Sequence, residues 1–217
     1  MPQHFPPNAN ALLRWGIVGG IGFVLVLAVM LAAAARVVDN QVRLPVSQPV
    51  DFSHALHTGE LGLDCRYCHN TVETSSFANI PPTETCMTCH SQILTEEPEL
   101  QAVVASWEAE EPLRWNRVHN LPDFAYFDHS AHINKGIGCS DCHGAVDQME
   151  GMWKNEPLTM GWCMECHRAP EQYVRPREEV FNMAYSRPDN QLELGQSLVA
   201  SYHIDSDKLI QCSVCHR

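Results

Sequence analysis

The stretch GWCMECHR, residues 161–168, sets two cysteines around two residues and follows them at once with histidine. A CxxCH run has three chemical readings: half of a zinc site, a redox dithiol, or the attachment point of a covalently bound porphyrin. Its recurrence decides among them. The pattern stands at CRYCH 65–69, CMTCH 86–90, CSDCH 139–143, CMECH 163–167 and CSVCH 212–216, and these five copies use all 10 cysteines of the 217-residue chain. Five CxxC pairs do not make a whole number of four-cysteine zinc sites, and zinc gives no reason for a histidine directly after each second cysteine. Histidine is 12 of 217 residues, so five such placements by chance have a probability of about 5 in 10 million. A dithiol oxidoreductase would carry one CxxC in a βαβ setting, not five in a proline-interrupted chain.

The remaining reading accounts for every feature. Two thiols two residues apart add across the two vinyl groups of one haem, and the adjacent histidine then lies under the iron. Five c-type haems are therefore expected, bound through Cys65 and Cys68, Cys86 and Cys89, Cys139 and Cys142, Cys163 and Cys166, and Cys212 and Cys215. The proximal ligands read from the motif are His69, His90, His143, His167 and His216.

Residues 15–35, WGIVGGIGFVLVLAVMLAAAA, are uncharged and bracketed by Arg14 and Arg36. About 20 apolar residues cross a bilayer as a helix. The run is longer than the roughly 7–15 residues of a signal-peptide core, so an uncleaved single-pass anchor over 15–36 is expected, with 1–14 as a cytoplasmic tail. Flanking charge leaves the orientation open. Haem attachment takes place outside the bacterial cytoplasm, which puts residues 37–217 on the periplasmic side of the inner membrane. Residues 37–50 read as a proline-punctuated linker and 51–217 as the haem domain.

Residues 1–36 hold two basic and no acidic side chains, leaving 12 basic and 26 acidic beyond them, a net of −14. That sign excludes a nucleic-acid partner. It serves solubility, or steers a positively charged redox partner.

A repeat organises the domain. FSHALHTGELGLDCRYCH (52–69) matches FDHSAHINKGIGCSDCH (127–143), each with F-x-H-x-x-H ahead of CxxCH and a second CxxCH downstream. Two di-haem modules, about 52–90 and 127–167, precede a C-terminal haem at 201–217, where SYHIDSDKLIQCSVCH is a truncated copy. The F-x-H-x-x-H pattern resembles the small periplasmic multihaem cytochromes c with three or four haems. That resemblance implies that the first histidine serves the haem just downstream and the second reaches a different one. His54 would then serve the haem on His69 and His129 that on His143, while His57 and His132 each cap another. His119, in VHNLPDFAYFDHSAH, and His203 are further candidates, and Met160 and Met183 are the thioether alternatives, which raise the potential. Arg168, Arg175, Arg177 and Arg187 are candidates for pairing propionates.

Regular structure should be sparse: a helix over 95–111 beginning at Thr95 with Pro98 in its first turn, another over 189–202, a short helical stretch at EEVFNMAY carrying Met183, and helical turns at each CxxCH. The fold class expected is a multihaem cytochrome c, with short α-helices and loops wrapped around five haems and one N-terminal transmembrane helix. If every iron holds two protein ligands, none is open to substrate, which implies electron transfer and no catalytic centre of its own.

The anchor, the five CxxCH motifs, VHNLPDFAYFDHSAH before the third, LTMGWCMECHR around the fourth and the fifth at the C-terminus resemble the pentahaem cytochrome c subunit of alternative complex III. The resemblance implies a bacterial membrane assembly that oxidises quinol and passes electrons to a periplasmic acceptor or oxidase. It implies as partners an iron–sulfur subunit of the molybdopterin-oxidoreductase type, polytopic quinol-binding subunits and a monohaem cytochrome c. A related hexahaem subunit belongs to a quinone reductase complex; five motifs speak for the pentahaem version. The alternative is a stand-alone anchored quinol dehydrogenase, which typically has four haems.

Overall fold

The computed structural model describes residues 6, 8–40 and 42–216, with 35–40 described as backbone. Part of the tail expected over 1–14, including His4, lies outside the described residues, as do position 41 of the expected linker, the Arg36 side chain and Arg217. The chain divides into two compact units, residues 1–42 and 43–217.

The first unit is one helix, α1, Ala9–Asn40. It begins before the apolar run and continues beyond it. With no charge between Arg14 and Arg36, nothing in its middle draws the backbone to water, and a helix satisfies every peptide group internally. Its stretch Ala9–Ala34, 26 residues, is long and apolar enough to cross a membrane. At a rise of about 1.5 Å per residue it reaches about 39 Å, more than the ~30 Å hydrocarbon core.

The second unit is helical and looped, with no named strand among the described residues. A single antiparallel bridge joins Pro45 to Trp153, so the segment read as a linker belongs to this unit from Arg43 onward. A π-helical turn, Ala55–Glu60, leads to α2 (Cys65–Cys68) and α3 (Thr83–His90). A 3-10 turn, Pro98–Leu100, runs into α4 (Gln101–Ala109). Then come α5 (His129–Asn134), α6 (Cys139–His143), α7 (Met160–Arg168), α8 (Gln191–Ser201), α9 (Ser206–Leu209) and α10 (Cys212–Cys215). Every CxxCH thus lies on or ends a helical turn. Side-chain caps fix several starts: Asp64 accepts from the Arg66 N–H, Asp128 from Ala131, Thr159 from Trp162 and Asp205 from Lys208.

Two expected helices differ. α4 opens at Gln101, because the proline-led turn ahead of it is 3-10, not α. EEVFNMAY forms only the 3-10 turn Arg177–Glu179 and further turns. The Val180 carbonyl there accepts from the Cys139 N–H at 3.2 Å, so it is not free to extend a helix.

The two modules differ by one residue between the second histidine and the first cysteine. The first, longer copy runs through the π turn Ala55–Glu60, the second through α5. A π turn is how a helix absorbs one inserted residue.

The apolar core is small. Val72, Ile133 and Val180 cluster with Ala78, Cys139 and Phe181, joining the two modules to the 170–185 segment. Among the described residues the other buried apolar side chains are Val50, Val103, Met149, Pro170, Val174 and Tyr202. That is little for a unit of this length, and porphyrin faces are the apolar surface such short elements need to pack against.

Candidate functional site

The F-x-H-x-x-H segments position their histidines almost identically. Phe52 stacks on His57 with ring centres 4.4 Å apart at 27°, and meets His54 edge-on at 4.8 Å and 87°. Phe127 stacks on His132 at 4.5 Å and 25°, and meets His129 edge-on at 4.7 Å and 89°. One aromatic ring therefore sets two imidazoles at right angles, facing two different neighbours. The phenylalanine is part of the repeat, but its orienting role emerges only from the ring geometry.

Each neighbour is a motif histidine. His57 lies opposite His90 with ring centres 6.2 Å apart, His132 opposite His167 at 6.2 Å, and His129 opposite His143 at 6.3 Å. Two imidazoles on opposite sides of one metal, each about 2 Å from it through Nε2, have ring centres about 6 Å apart. The second histidine of each F-x-H-x-x-H thus faces the second motif of its own module. His54 lies within electrostatic reach of His69 and His57. Among the described residues no three His, Cys, Asp or Glu side chains converge on one point. Paired imidazoles with no third side chain match a metal whose other positions come from a macrocycle.

The other ring nitrogen is tied down. Nδ1 faces a main-chain carbonyl in His57 (Ser53, 2.8 Å), His69 (Asn79, 2.6 Å), His90 (Ile93, 3.4 Å), His129 (Ser76, 2.8 Å), His132 (Asp128, 2.7 Å), His167 (Leu209, 3.0 Å) and His216 (Phe124, 3.1 Å). An Nδ1–H donated to a carbonyl fixes the tautomer that leaves Nε2 free for a metal. Burial, helped by nearby imidazoles, lowers His54 to about 4 and His143 to about 3, and burial also lowers His132. These rings are neutral at ordinary pH, the form that ligates.

Three of the cysteines line cavities. One, of about 300 Å³, is lined by Cys142, Cys166, Trp162, Tyr173, Asp141 and Arg187. Another, of about 330 Å³, is lined by Cys65, Leu63, Phe181 and Met183 among others. Burial pushes the Cys139, Cys142 and Cys166 thiols up to about 12.

The remaining candidates fall elsewhere. His119 sets Nε2 3.1 Å from His143 Nδ1. Burial, then the charge of Lys154, lowers it to about 4. His203 is exposed in a left-handed turn after α8, φ +52°. Met160 is 65% exposed at the start of α7, whereas Met183 lines the cavity beside Cys65.

The arginines are largely committed within the protein. Arg175, 2% exposed, pairs with Asp141 Oδ2 at 2.7 Å, and Arg187 pairs with Asp141 Oδ1 at 2.7 Å. Arg177 donates to the Asn134 carbonyl at 2.8 Å and lies over the Tyr202 ring. Asp141 stands inside CSDCH, so this network braces the third motif. A Cβ on Gly138 would collide with the Arg175 guanidinium, and the left-handed Gly136, φ +77°, lets the Arg175 carbonyl come close.

These features resemble those of a multihaem cytochrome c of the c3 type, helical and looped around covalently bound c-type haem. The comparisons with known proteins agree. Residues 131–217 match the family model described as cytochrome c3, and residues 31–114 the class III cytochrome C family. A 97-residue stretch is 37% identical to the menaquinone reductase, multihaem cytochrome c subunit, of Nitratidesulfovibrio vulgaris (strain Hildenborough). That match covers 44% of this chain and 45% of the relative, less than half the length of each.

Proposed function

We propose that the chain relays electrons through five c-type haems within a quinone-linked bacterial membrane complex of the alternative complex III kind, from quinol toward a periplasmic acceptor or oxidase. The observation that carries this reading is the facing of imidazoles in pairs at 6.2–6.3 Å. Two protein ligands on one iron leave no position for a substrate. The haem, when bound, supplies an iron that takes up and gives up one electron at a time. The protein's part is to hold it in place and tune it. His69, His90, His143, His167 and His216 would hold the irons from the motif side, and the ten cysteines would anchor the haems covalently. His54, His57, His129 and His132 would supply the second ligand at the first four sites. Phe52 and Phe127 tie pairs of sites together by orienting two histidines each, which keeps neighbouring centres close enough for transfer. His203, Met160 and Met183 are the remaining candidates for the fifth site. Of these, Met183 lies nearer the first motif's Cys65.

In this reading residues 15–36 anchor the domain in the inner membrane, with residues 51–217 in the periplasm. The partners are an iron–sulfur subunit of the molybdopterin-oxidoreductase type, polytopic quinol-binding subunits and a monohaem cytochrome c. Among the described residues one helix is long and apolar enough to cross a membrane, and one helix encloses no quinone pocket, which is why the quinol site is assigned to partners.

A second reading has a specific observation behind it. A relative found by comparison is named for menaquinone reductase, which would reverse the electron flow. The five motifs favour the first. One experiment separates these and the stand-alone dehydrogenase. The chain is purified alone in detergent, quinol is added, and the reduced α-band is followed; the same is done with the intact complex. Haems that stay oxidised alone and reduce in the complex support the proposal. Prompt, saturable reduction of the isolated chain places the quinol site here. Haems in the complex that are oxidised by added menaquinone, and not reduced by menaquinol, favour the reductase.

A further inference from the structure

Among the motif histidines whose Nδ1 has a partner in the structure, His143 differs from the rest. His69, His90, His167 and His216 each face a main-chain carbonyl. His143 Nδ1 instead lies 3.1 Å from His119 Nε2, the two rings meeting nearly edge-on at 4.4 Å and 79°. On its other side His143 faces His129 at 6.3 Å with the planes 5° apart. A histidine that offers Nε2 to a metal keeps its proton on Nδ1. The Nδ1–H of His143 therefore donates, and His119 Nε2 accepts. That nitrogen is the atom a distal ligand would use, and here it is occupied.

The chemical consequence follows from the acceptor. An imidazole nitrogen is a stronger base than a peptide carbonyl oxygen and draws the shared proton further from His143. The electron density left on His143 makes it a more basic ligand. A more basic ligand favours the more highly charged, oxidised iron and so lowers the reduction potential.

We propose that His119 is a positioning residue for the third site. It accepts the hydrogen bond from His143 Nδ1–H, fixes that ring against His129, and holds the third haem at a lower potential than a carbonyl partner would. It is not an axial ligand. This rests on the reading that residues 139–143 carry a haem with His143 as its ligand.

The test uses the haem-loaded full-length chain in its membrane complex. Mass analysis of the peptide containing 139–143 comes first: a peptide without covalent haem defeats the underlying reading, whatever His119 does. With the haem present, His119→Leu and His119→Gln are titrated electrochemically and their spin states recorded. Full haem content, wholly low-spin spectra and one midpoint moved upward, further in His119→Leu than in His119→Gln with its amide oxygen, is the expected result. A new high-spin haem in both variants would make His119 an axial ligand and overturn the proposal. Unchanged midpoints in both would leave it a packing residue only and overturn it equally. If His119→Leu fails to load haem, the midpoint of His119→Gln decides alone.

Discussion

Arg175 Nη2 stands 2.7 Å from Asp141 Oδ2, with only 3% and 11% of the two side chains exposed. Arg187 holds the other oxygen of the same carboxylate at 2.7 Å. One acidic side chain inside the third CxxCH thus pairs with two arginines from the segment that follows the fourth. Burying one such charge without its partner costs several kcal/mol, typically about 3–5. Asp141→Asn is therefore expected to destabilise the haem domain by about that amount, read as a lower denaturant midpoint. A variant within 0.5 kcal/mol of the parent, on the order expected for an exposed pair, would mean that solvent reaches this network.

Paired replacement of Cys139 and Cys142 by alanine is expected to lower the mass of the purified chain by one haem. The parent should carry five. A parent with fewer would show that some motif is not a haem site.

The rings of Phe52 and Phe127 are each shared between two histidines. Phe52→Leu and Phe127→Leu keep apolar volume but remove the edge-on and stacked contacts, worth about 0.5–1.5 kcal/mol per ring pair. Equal losses of stability from the two substitutions, with haem content intact, are the expected outcome in a denaturant titration. A large effect in one module alone would break the equivalence of the two repeats.

Acid acts on the buried imidazoles. His54 is lowered to about 4 and His143 to about 3 from the ordinary 6.5. Between those values the unfolded chain takes up protons that the folded chain refuses, so stability rises with pH across this window. The contribution is complete above the ordinary value and is lost as the pH falls toward the folded ones. Denaturant midpoints should thus decline between about pH 6.5 and about pH 4. A midpoint that climbs on acidification would contradict the burial of these rings.

A chain beginning at Arg43 retains the whole second unit. It should remain in the aqueous fraction after alkaline extraction, whereas the full chain stays with the membrane through its apolar stretch Ala9–Ala34. Full-length protein released by alkali would show that this helix does not anchor.

Much of this was legible along the chain because it is local. Thioether spacing and the adjacent histidine are properties of five consecutive residues, so GWCMECHR and its four companions could be read directly. So could the apolar run, since spanning a membrane depends on length and lack of charge. The sequence repeat also put Phe52, His54 and His57 in register with Phe127, His129 and His132. It did not say that the modules differ through a π turn in the first, because an inserted residue shows its effect only in the backbone it bends. EEVFNMAY read as helical, yet Val180 lends its carbonyl to Cys139, a partner 41 positions away by residue number.

What the sequence alone determined is therefore local: five CxxCH motifs, the paired histidines ahead of two of them and one long apolar stretch, each set by residues within a short covalent reach. Only the tertiary structure decided which histidines face each other, that His119 turns its Nε2 to His143, and that Asp141 gathers Arg175 and Arg187. Those relationships join residues from 14 to 46 positions apart. They depend on how loops fold back around a small core, and no local spacing encodes that.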